Sequence, residues 1–420
     1  MPDPVTSPAS VEAALARKAT VAAWAVFAIF VLNGFNFASW ASRLVGVRNS
    51  LGLKETEMGM LLLFIAFGSI IALPLSGWIM ERLGARRTIV VFAAINVVGY
   101  SIAAWAIAQG DVAVLRVALV LVGIGTAVWD AAMNLEGAIV EQAVGRTIMP
   151  RLHAGFSLGT IVGSALGALM ARLGVSVSWH LPGAVVLSLV LVMVAVRALL
   201  PAAGRELDEH VPAADGEVPA AEERGSVFGA WHEPRTLLVG LIVLAAALTE
   251  GSANDWVGLA VADGFAKDEA TGAMALTVFL VAMTGMRLLG TNLLDRLGRV
   301  TVLRLLGGLA FSGLALFAFA PWMWLALVGV VLWGFGAALG FPVGMSAAAD
   351  DPRRAAARVS VVSTIGYTAF FMGPPLIGLL AEHLGYRHAL ATILVPVALG
   401  LVIASAATPL AREPRDTVEG

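Results

Sequence analysis

Two halves of this chain are copies of one pattern. The segment GWIMERLGAR, from Gly77 to Arg86, returns about 210 residues later as GTNLLDRLGR, from Gly290 to Arg299. Likewise Gly123-Ile124-Gly125-Thr126-Ala127 returns as Gly334-Phe335-Gly336-Ala337-Ala338, and Ala171-Arg172-Leu173-Gly174 returns as Glu382-His383-Leu384-Gly385. Between these landmarks run apolar stretches of roughly 20 residues, each long enough to cross a hydrocarbon core of about 30 Å. Two similar halves built from such stretches point to a duplicated membrane protein whose solute site lies between the halves.

Composition agrees with lipid as the solvent. Of 420 residues, 59% are hydrophobic and 13% charged, and the mean hydropathy is +0.87. A soluble domain of this size could not hide so much apolar surface. Twelve spans are read near residues 20–42, 57–80, 88–108, 112–138, 153–173, 180–200, 236–259, 270–293, 301–319, 322–346, 359–384 and 388–408. The fold class is therefore an all-α membrane protein with twelve transmembrane helices in two pseudo-symmetric six-helix bundles. Residues 20–200 and 234–408 are the bundles, and 1–19 and 409–420 are tails. Residues 201–233, rich in Pro, Ala, Glu and Asp, form a solvated linker.

A net charge of −2 conceals a strong asymmetry. Arg17, Lys18, Arg82, Arg86, Arg87, Arg146, Arg151, Arg197, Arg205, Arg224, Arg235, Arg296, Arg299, Arg304, Arg353, Arg354, Arg358, Arg412 and Arg415 fall on one side of the expected topology. The other side has only Arg43, Arg48, Lys54, Arg172, Lys267 and Arg387. The positive-inside rule then places both termini and the linker in the cytosol, with the chain in the cytoplasmic (inner) membrane. The first apolar stretch is too long for the core of a cleavable signal and is read as the first helix. With no cysteine, the chain has neither disulfides nor thiol chemistry.

The repeated loop resembles that of the major facilitator superfamily, whose hallmark between helices 2 and 3 is a Gly, an acid, Arg, an apolar residue, Gly and a basic pair. Gly77, Glu81, Arg82, Gly84, Arg86 and Arg87 fit it, with Glu81 in place of the commoner Asp. The copy supplies Asp295, Arg296, Gly298 and Arg299, with Gly290 one residue farther from its acid. Arg116 followed by Gly123 and Gly125 is similar to the superfamily's helix 4 signature, and Asp130-Ala131-Ala132-Met133-Asn134 to a stretch of the fucose:proton symporters. MNLEGAIVE, MPRLHAGFSLGT, EGSANDW and GPPLIG resemble the YbjJ-like branch more closely. The resemblance implies a cavity lined by helices 1, 4, 7 and 10. The fucose symporters also have an acid on helix 1, where this chain reads Asn33-Gly34-Phe35-Asn36-Phe37.

An ionisable group in a bilayer costs roughly 2.5–3.5 kcal/mol on insertion scales, so each one inside a span is a functional candidate. Asp130 lies somewhat past the midplane of the fourth span and Asn134 is one turn farther on the same face. A carboxylate there can take up a proton when desolvated and release it when water arrives. The bland alternative is permanent pairing with an arginine such as Arg287. Glu250 and Asp255, on the seventh span, are further proton-coupling candidates. Asn254 and Trp256 beside them mirror Asn33, Asn36, Ser39 and Trp40 on the first span. Asn offers donor and acceptor, and Trp an apolar face with one donor, which suits hydroxyl- or amide-bearing solutes. With Asn134 and Tyr367, these residues form the candidate substrate set; for any one Asn taken alone interhelical packing is an equal reading, and for the set the cavity is favoured.

The two repeated loops, with Glu81, Arg82, Arg86, Asp295, Arg296 and Arg299, are read as cytosolic latches that stabilise an outward-open state. Glu136 and Glu141, near the end of the fourth span, join them as gating candidates beside Arg82, Arg86 and Arg146. Gly155, Gly159, Gly163 and Gly167 recur every fourth residue, which makes one smooth packing face. Gly155-Phe156-Ser157-Leu158-Gly159 matches a hydrolase nucleophile pattern, but that motif needs a strand-turn-helix setting and here it opens an apolar helix. No phosphate-binding loop, metal cluster or nucleic-acid patch is visible, which disfavours an ATP-driven pump; neither an enzyme nor a cofactor is expected.

The expectation is a monomeric secondary transporter moving a small polar solute, sugar-like or a related metabolite, by alternating access coupled to protons. Two alternatives stand beside it. One is efflux of drugs or metabolites by proton antiport; the other is a transporter-like sensor that binds without net flux.

Overall fold

Lipid cannot satisfy backbone N–H and C=O groups, so a spanning chain must satisfy them within itself, and here the answer is helical. The computed structural model describes residues 8–145, 148–200, 227–351 and 354–410. Within these, twelve helical stretches are long and apolar enough to cross a membrane: Ala16–Leu51, Glu55–Leu83, Ala85–Gln109, Val112–Val144, Met149–Arg172, Val177–Ala198, Pro234–Gly264, Glu269–Gly290, Arg299–Phe319, Met323–Ala348, Ala357–Leu384 and Tyr386–Ala407. They are called spans 1 to 12 in that order. There is no strand among the described residues. The tails beyond them, Arg146, Arg353 and most of the expected linker, with Arg205 and Arg224, lie outside the described residues.

All twelve spans read from the sequence are present, and three of them are interrupted. Span 1 turns at residues 42–43 and resumes as the short helix Leu44–Leu51, so it runs past the expected end at 42. Leu44, Val45 and Val47 are buried and drive that extension. Span 10 breaks between the helices Met323–Ala337 and Gly340–Ala348, and span 12 between Tyr386–Ala391 and Leu394–Ile403.

The duplication is written in the backbone as well. Gly84 and Gly298, which immediately precede spans 3 and 9 in the repeated loops, have φ of 73° and 74°, and Gly174 and Gly385 in the third repeated pair have 71° and 75°. A left-handed residue at each equivalent turn requires glycine, which is why these four positions survive in both copies.

Close approach of helices fixes each bundle. A Cβ at Gly159 would overlap the carbonyl of Val31, one at Gly163 the carbonyl of Phe35, and one at Gly155 the ring of Phe27, so the glycine face of span 5 lies against span 1. Gly68 and Gly123 do the same between spans 2 and 4, and Gly313, Gly329 and Gly336 between spans 9 and 10. Outward positions instead carry large apolar side chains such as Trp179 and Val402, 80% and 76% exposed, as a protein solvated by lipid requires.

By packing, the described chain separates into two compact units. One comprises Met1–Gly216 with Ser252–Thr284 and Pro374–Ala389; the other comprises Glu217–Gly251, Gly285–Gly373 and Leu390–Gly420. The first unit therefore contains segments of both sequence halves, held together at the end of the helices that bears few arginines.

Candidate functional site

At this arginine-poor end the first unit is sealed by polar contacts between the sequence halves. Arg43 sits at the break in span 1 and is 1% exposed. Its Nε donates to Glu269 Oε1 at 2.5 Å and its Nη2 donates to the Val175 carbonyl at 2.7 Å. Gly46, one turn on, has no side chain where the Glu269 carboxylate lies. Arg48 donates through both Nη atoms to Asp263, and its guanidinium lies 5.7 Å from the centre of the Tyr386 ring. Ser164 on span 5 shares a hydrogen bond of 2.8 Å with Thr277 on span 8, and Thr56 donates to Glu382. Spans 2 and 11 touch where Gly59 meets the backbone of Pro374 and Gly378.

Deeper in the same unit are the polar residues expected of spans 1, 4 and 7. Asn36 Nδ2 donates to Asn96 Oδ1 at 3.4 Å, and Asn96 Nδ2 donates to Thr126 Oγ1 at 2.8 Å, a chain through spans 1, 3 and 4. Asn33 and Trp40 are buried, and the Trp40 ring lies 5.9 Å from that of Tyr100. Trp256 is fully buried with its ring 5.4 Å from Tyr386. Several buried atoms have no hydrogen-bond partner among the described residues: Asn36 Oδ1, Ser39 Oγ, Asn254 Oδ1, and the Nε1 atoms of Trp129 and Trp256. Asn134 Nδ2 donates to the Asp130 carbonyl at 2.9 Å, so these two share a face as their spacing implies. Asp130 is exposed and Asp255 half-buried, and neither has an ion pair among the described residues.

The second unit gives Glu250 a different setting. Arg287 Nη2 donates to Glu250 Oε2 at 2.7 Å, and its Nε donates to the Ala338 carbonyl at the break in span 10 at 3.1 Å. Arg287 is thus the partner of Glu250, where the sequence offered it as a partner for Asp130. Tyr367 is half exposed and lies between the rings of Phe341 and Phe370, at 6.3 and 6.2 Å.

The gating candidates divide by partner. Glu81, Arg82, Arg86, Asp295 and Arg296 are exposed, with Arg82 stacked 4.4 Å from the centre of the Trp78 ring. Glu136 is buried. Glu141 accepts from the backbone N–H groups of Ile148 and Met149 at 2.6 and 2.7 Å, so it caps the start of span 5; the sequence had set it beside Arg82, Arg86 and Arg146. Arg299 pairs with Asp350 at 2.5 Å, and Arg235 reaches the same carboxylate at 2.8 Å.

Arg43, Glu269, Asp263 and Asn96 were not among the site residues read from the sequence. Their one local signal is polarity inside or at the edge of an apolar stretch.

The profile of the Major Facilitator Superfamily matches residues 23–256 and again 239–420, one match for each copy. The chain belongs to the major facilitator superfamily. It is 32% identical over 383 residues to the uncharacterized transporter y4wD of Sinorhizobium fredii, covering 89% of this chain and 97% of that protein. Among solved structures it superposes on the nucleoside transporter NupG with a TM-score of 0.70 at 15% identity, covering 91% of this chain and 98% of that one. It also superposes on a D-xylose-proton symporter with a TM-score of 0.71 at 13% identity, covering 94% and 98%. Superfamily membership makes this a multi-pass membrane transporter of a small molecule and not an enzyme. None of these matches separates the YbjJ-like or fucose-symporter branches.

Proposed function

We propose that this protein carries a small polar solute, sugar-like or a related metabolite, across the cytoplasmic membrane by proton-coupled alternating access, acting as a monomer with both termini in the cytosol. The observation behind the substrate class is the set of buried polar atoms on spans 1, 4 and 7 without partners among the described residues. Leaving such an atom unpaired in an apolar interior costs roughly 1–3 kcal/mol, and a hydroxylated solute would supply the missing donors and acceptors. Asn36, Asn254 and Trp256 are the assigned contacts, with Asn33, Trp40 and Asn134 in the same unit; Tyr367 is the candidate contact of the second unit. Nucleosides and xylose, named for the two solved neighbours, are solutes of this hydroxyl-rich kind.

For energy, Asp130 is the assigned proton carrier, with Asp255 as second carboxylate. Both lie in spans and are free of ion pairs among the described residues, so protonation costs them no partner; Glu250 would have to give up Arg287. The arginine-poor end is read as the outer end by the positive-inside rule. Its contacts then constitute a closed outer gate, and the exposed Glu81 and Asp295 are latch residues that engage in the opposite state.

The test is transport by purified protein in vesicles, screened first with labelled nucleosides, pentoses, hexoses and organic acids. Asp130→Asn is expected to abolish uphill uptake driven by a proton gradient while preserving counterflow exchange. Equal loss of both rejects Asp130 as the coupling group, and extrusion of amphipathic drugs with no sugar or nucleoside flux rejects the substrate class.

A further inference from the structure

At the arginine-rich end of the first bundle a pocket of about 330 Å³ opens between spans 1, 4 and 5. Span 1 contributes Thr20, Ala23, Trp24 and Phe27, which fall at helical spacing on one face; Val144, Ile148, Leu152 and Ala154 complete an apolar wall. Trp24 is 68% exposed and packs edge-on to Phe27 with ring centres 5.6 Å apart. Among the described residues the lining has one cationic side chain, the exposed Arg151. Arg17, also exposed, is three residues before Thr20 and seven before Trp24, on the same helix face. The acid nearest to Arg151 in sequence, Glu141, is occupied by the N–H groups of Ile148 and Met149.

An apolar slot with an indole at its mouth and a guanidinium at its rim matches one ligand chemistry: a hydrocarbon tail joined to an anionic head. The indole marks the level of the headgroups, where Trp concentrates, and basic pockets between membrane helices bind anionic headgroups. We propose that this pocket is a binding site for an anionic phospholipid, with one acyl chain against Trp24, Phe27 and Leu152 and the phosphate on Arg151 and Arg17. The site lies wholly within the first unit and its occupancy does not depend on which solute is carried.

Native mass spectrometry of the delipidated full-length protein, titrated with phosphatidylglycerol or phosphatidylcholine of the same chain length, tests this. The wild type should retain phosphatidylglycerol about 25-fold better, about fivefold for each of the two cations near the headgroup. Arg151→Gln should cut that preference about fivefold and Arg151→Lys should keep it; as an exposed residue, Arg151 is replaceable without loss of the fold. Ala23→Leu, which fills the slot, should lower retention of both lipids. A preference unchanged in Arg151→Gln overturns the proposal, as does retention unchanged in Ala23→Leu. Displacement of the lipid by inorganic phosphate alone would show a free-anion site and overturn it too.

Discussion

Arg43 and Glu269 form an ion pair that ties the break in span 1 to the first residue of span 8, 226 residues away in sequence. The guanidinium is almost fully buried while the carboxylate keeps 23% of its surface, so the acid is the partner that water can reach. Removing its charge leaves Arg43 buried with only the Val175 carbonyl and a weaker amide acceptor, at a cost of about 1–3 kcal/mol to the sealed state. Glu269→Gln should therefore raise the population opened at this end about fivefold or more. The chain has no cysteine, so Ser39→Cys is a clean reporter, and Ser39 is fully buried. Maleimide labelling of that cysteine should accelerate in the Glu269→Gln background; equal rates in both backgrounds would show that the pair does not hold this end shut.

The glycine face of span 5 gives a prediction with a built-in control. Alanine at Gly159 meets the carbonyl oxygen of Val31, and neither backbone can yield without separating spans 1 and 5, so a loss of roughly 1–3 kcal/mol is expected. Alanine at Gly77 meets nothing within 4 Å, and in a helix interior it should stabilise by about 0.5–1 kcal/mol. Thermal unfolding in detergent should show midpoints moving in opposite directions. A Gly159→Ala protein as stable as wild type would remove the close approach.

What the sequence made legible follows one rule: features fixed by local composition were readable, and features fixed by helix azimuth were not. Twelve spans could be read because length and lack of charge decide membrane crossing. The duplicated turns could be read because Gly84 and Gly298, like Gly174 and Gly385, must occupy left-handed backbone in both copies. Arg43 could not. A charge at the edge of an apolar stretch reads as a loop charge, and nothing local marks it as buried or points to Glu269. Glu250 and Asp255 looked equivalent on span 7, five residues apart; only the packing of spans 8 and 10 gives Arg287 to Glu250. Asn36 likewise announced a polar stripe but not its partner Asn96, 60 residues on.

Glu250 and Arg287 should behave as an interacting pair in a double-mutant cycle. Their side chains are 22% and 28% exposed, and the bond is charge-assisted, so a coupling of about 1–3 kcal/mol is expected. Glu250→Gln and Arg287→Gln should each lower the unfolding midpoint, and the double variant should lose less than the sum. Additive losses would mean that the two side chains do not support one another.

Glu233 lies just before span 7, outside the membrane, and its pH response has a definite sign. Burial pushes its carboxyl up, but hydrogen bonds from Arg358, Thr236 and Arg354 outweigh burial and bring it from 4.5 down to about 2. The contacts are short: Arg358 Nε at 2.6 Å, Thr236 Oγ1 at 2.8 Å and Arg354 Nη1 at 2.9 Å. Because the folded-state value is depressed, the unfolded chain takes up its proton first as the pH falls. The stabilisation is complete above about 4.5 and drains away as the pH drops toward 2. Glu233→Gln should thus be less stable than wild type at neutral pH, and the difference should shrink steadily through that window. The comparison is between two proteins at each pH, so the titration of carboxylates remote from Arg354 and Arg358 cancels, and Asp351, which shares Arg358, is the one neighbour that couples to it among the described residues. A stability gap that stays constant down to the lowest pH would mean that the ionised form of Glu233 carries none of the stabilisation, leaving the cluster around Arg354 and Arg358 to be held by neutral contacts alone.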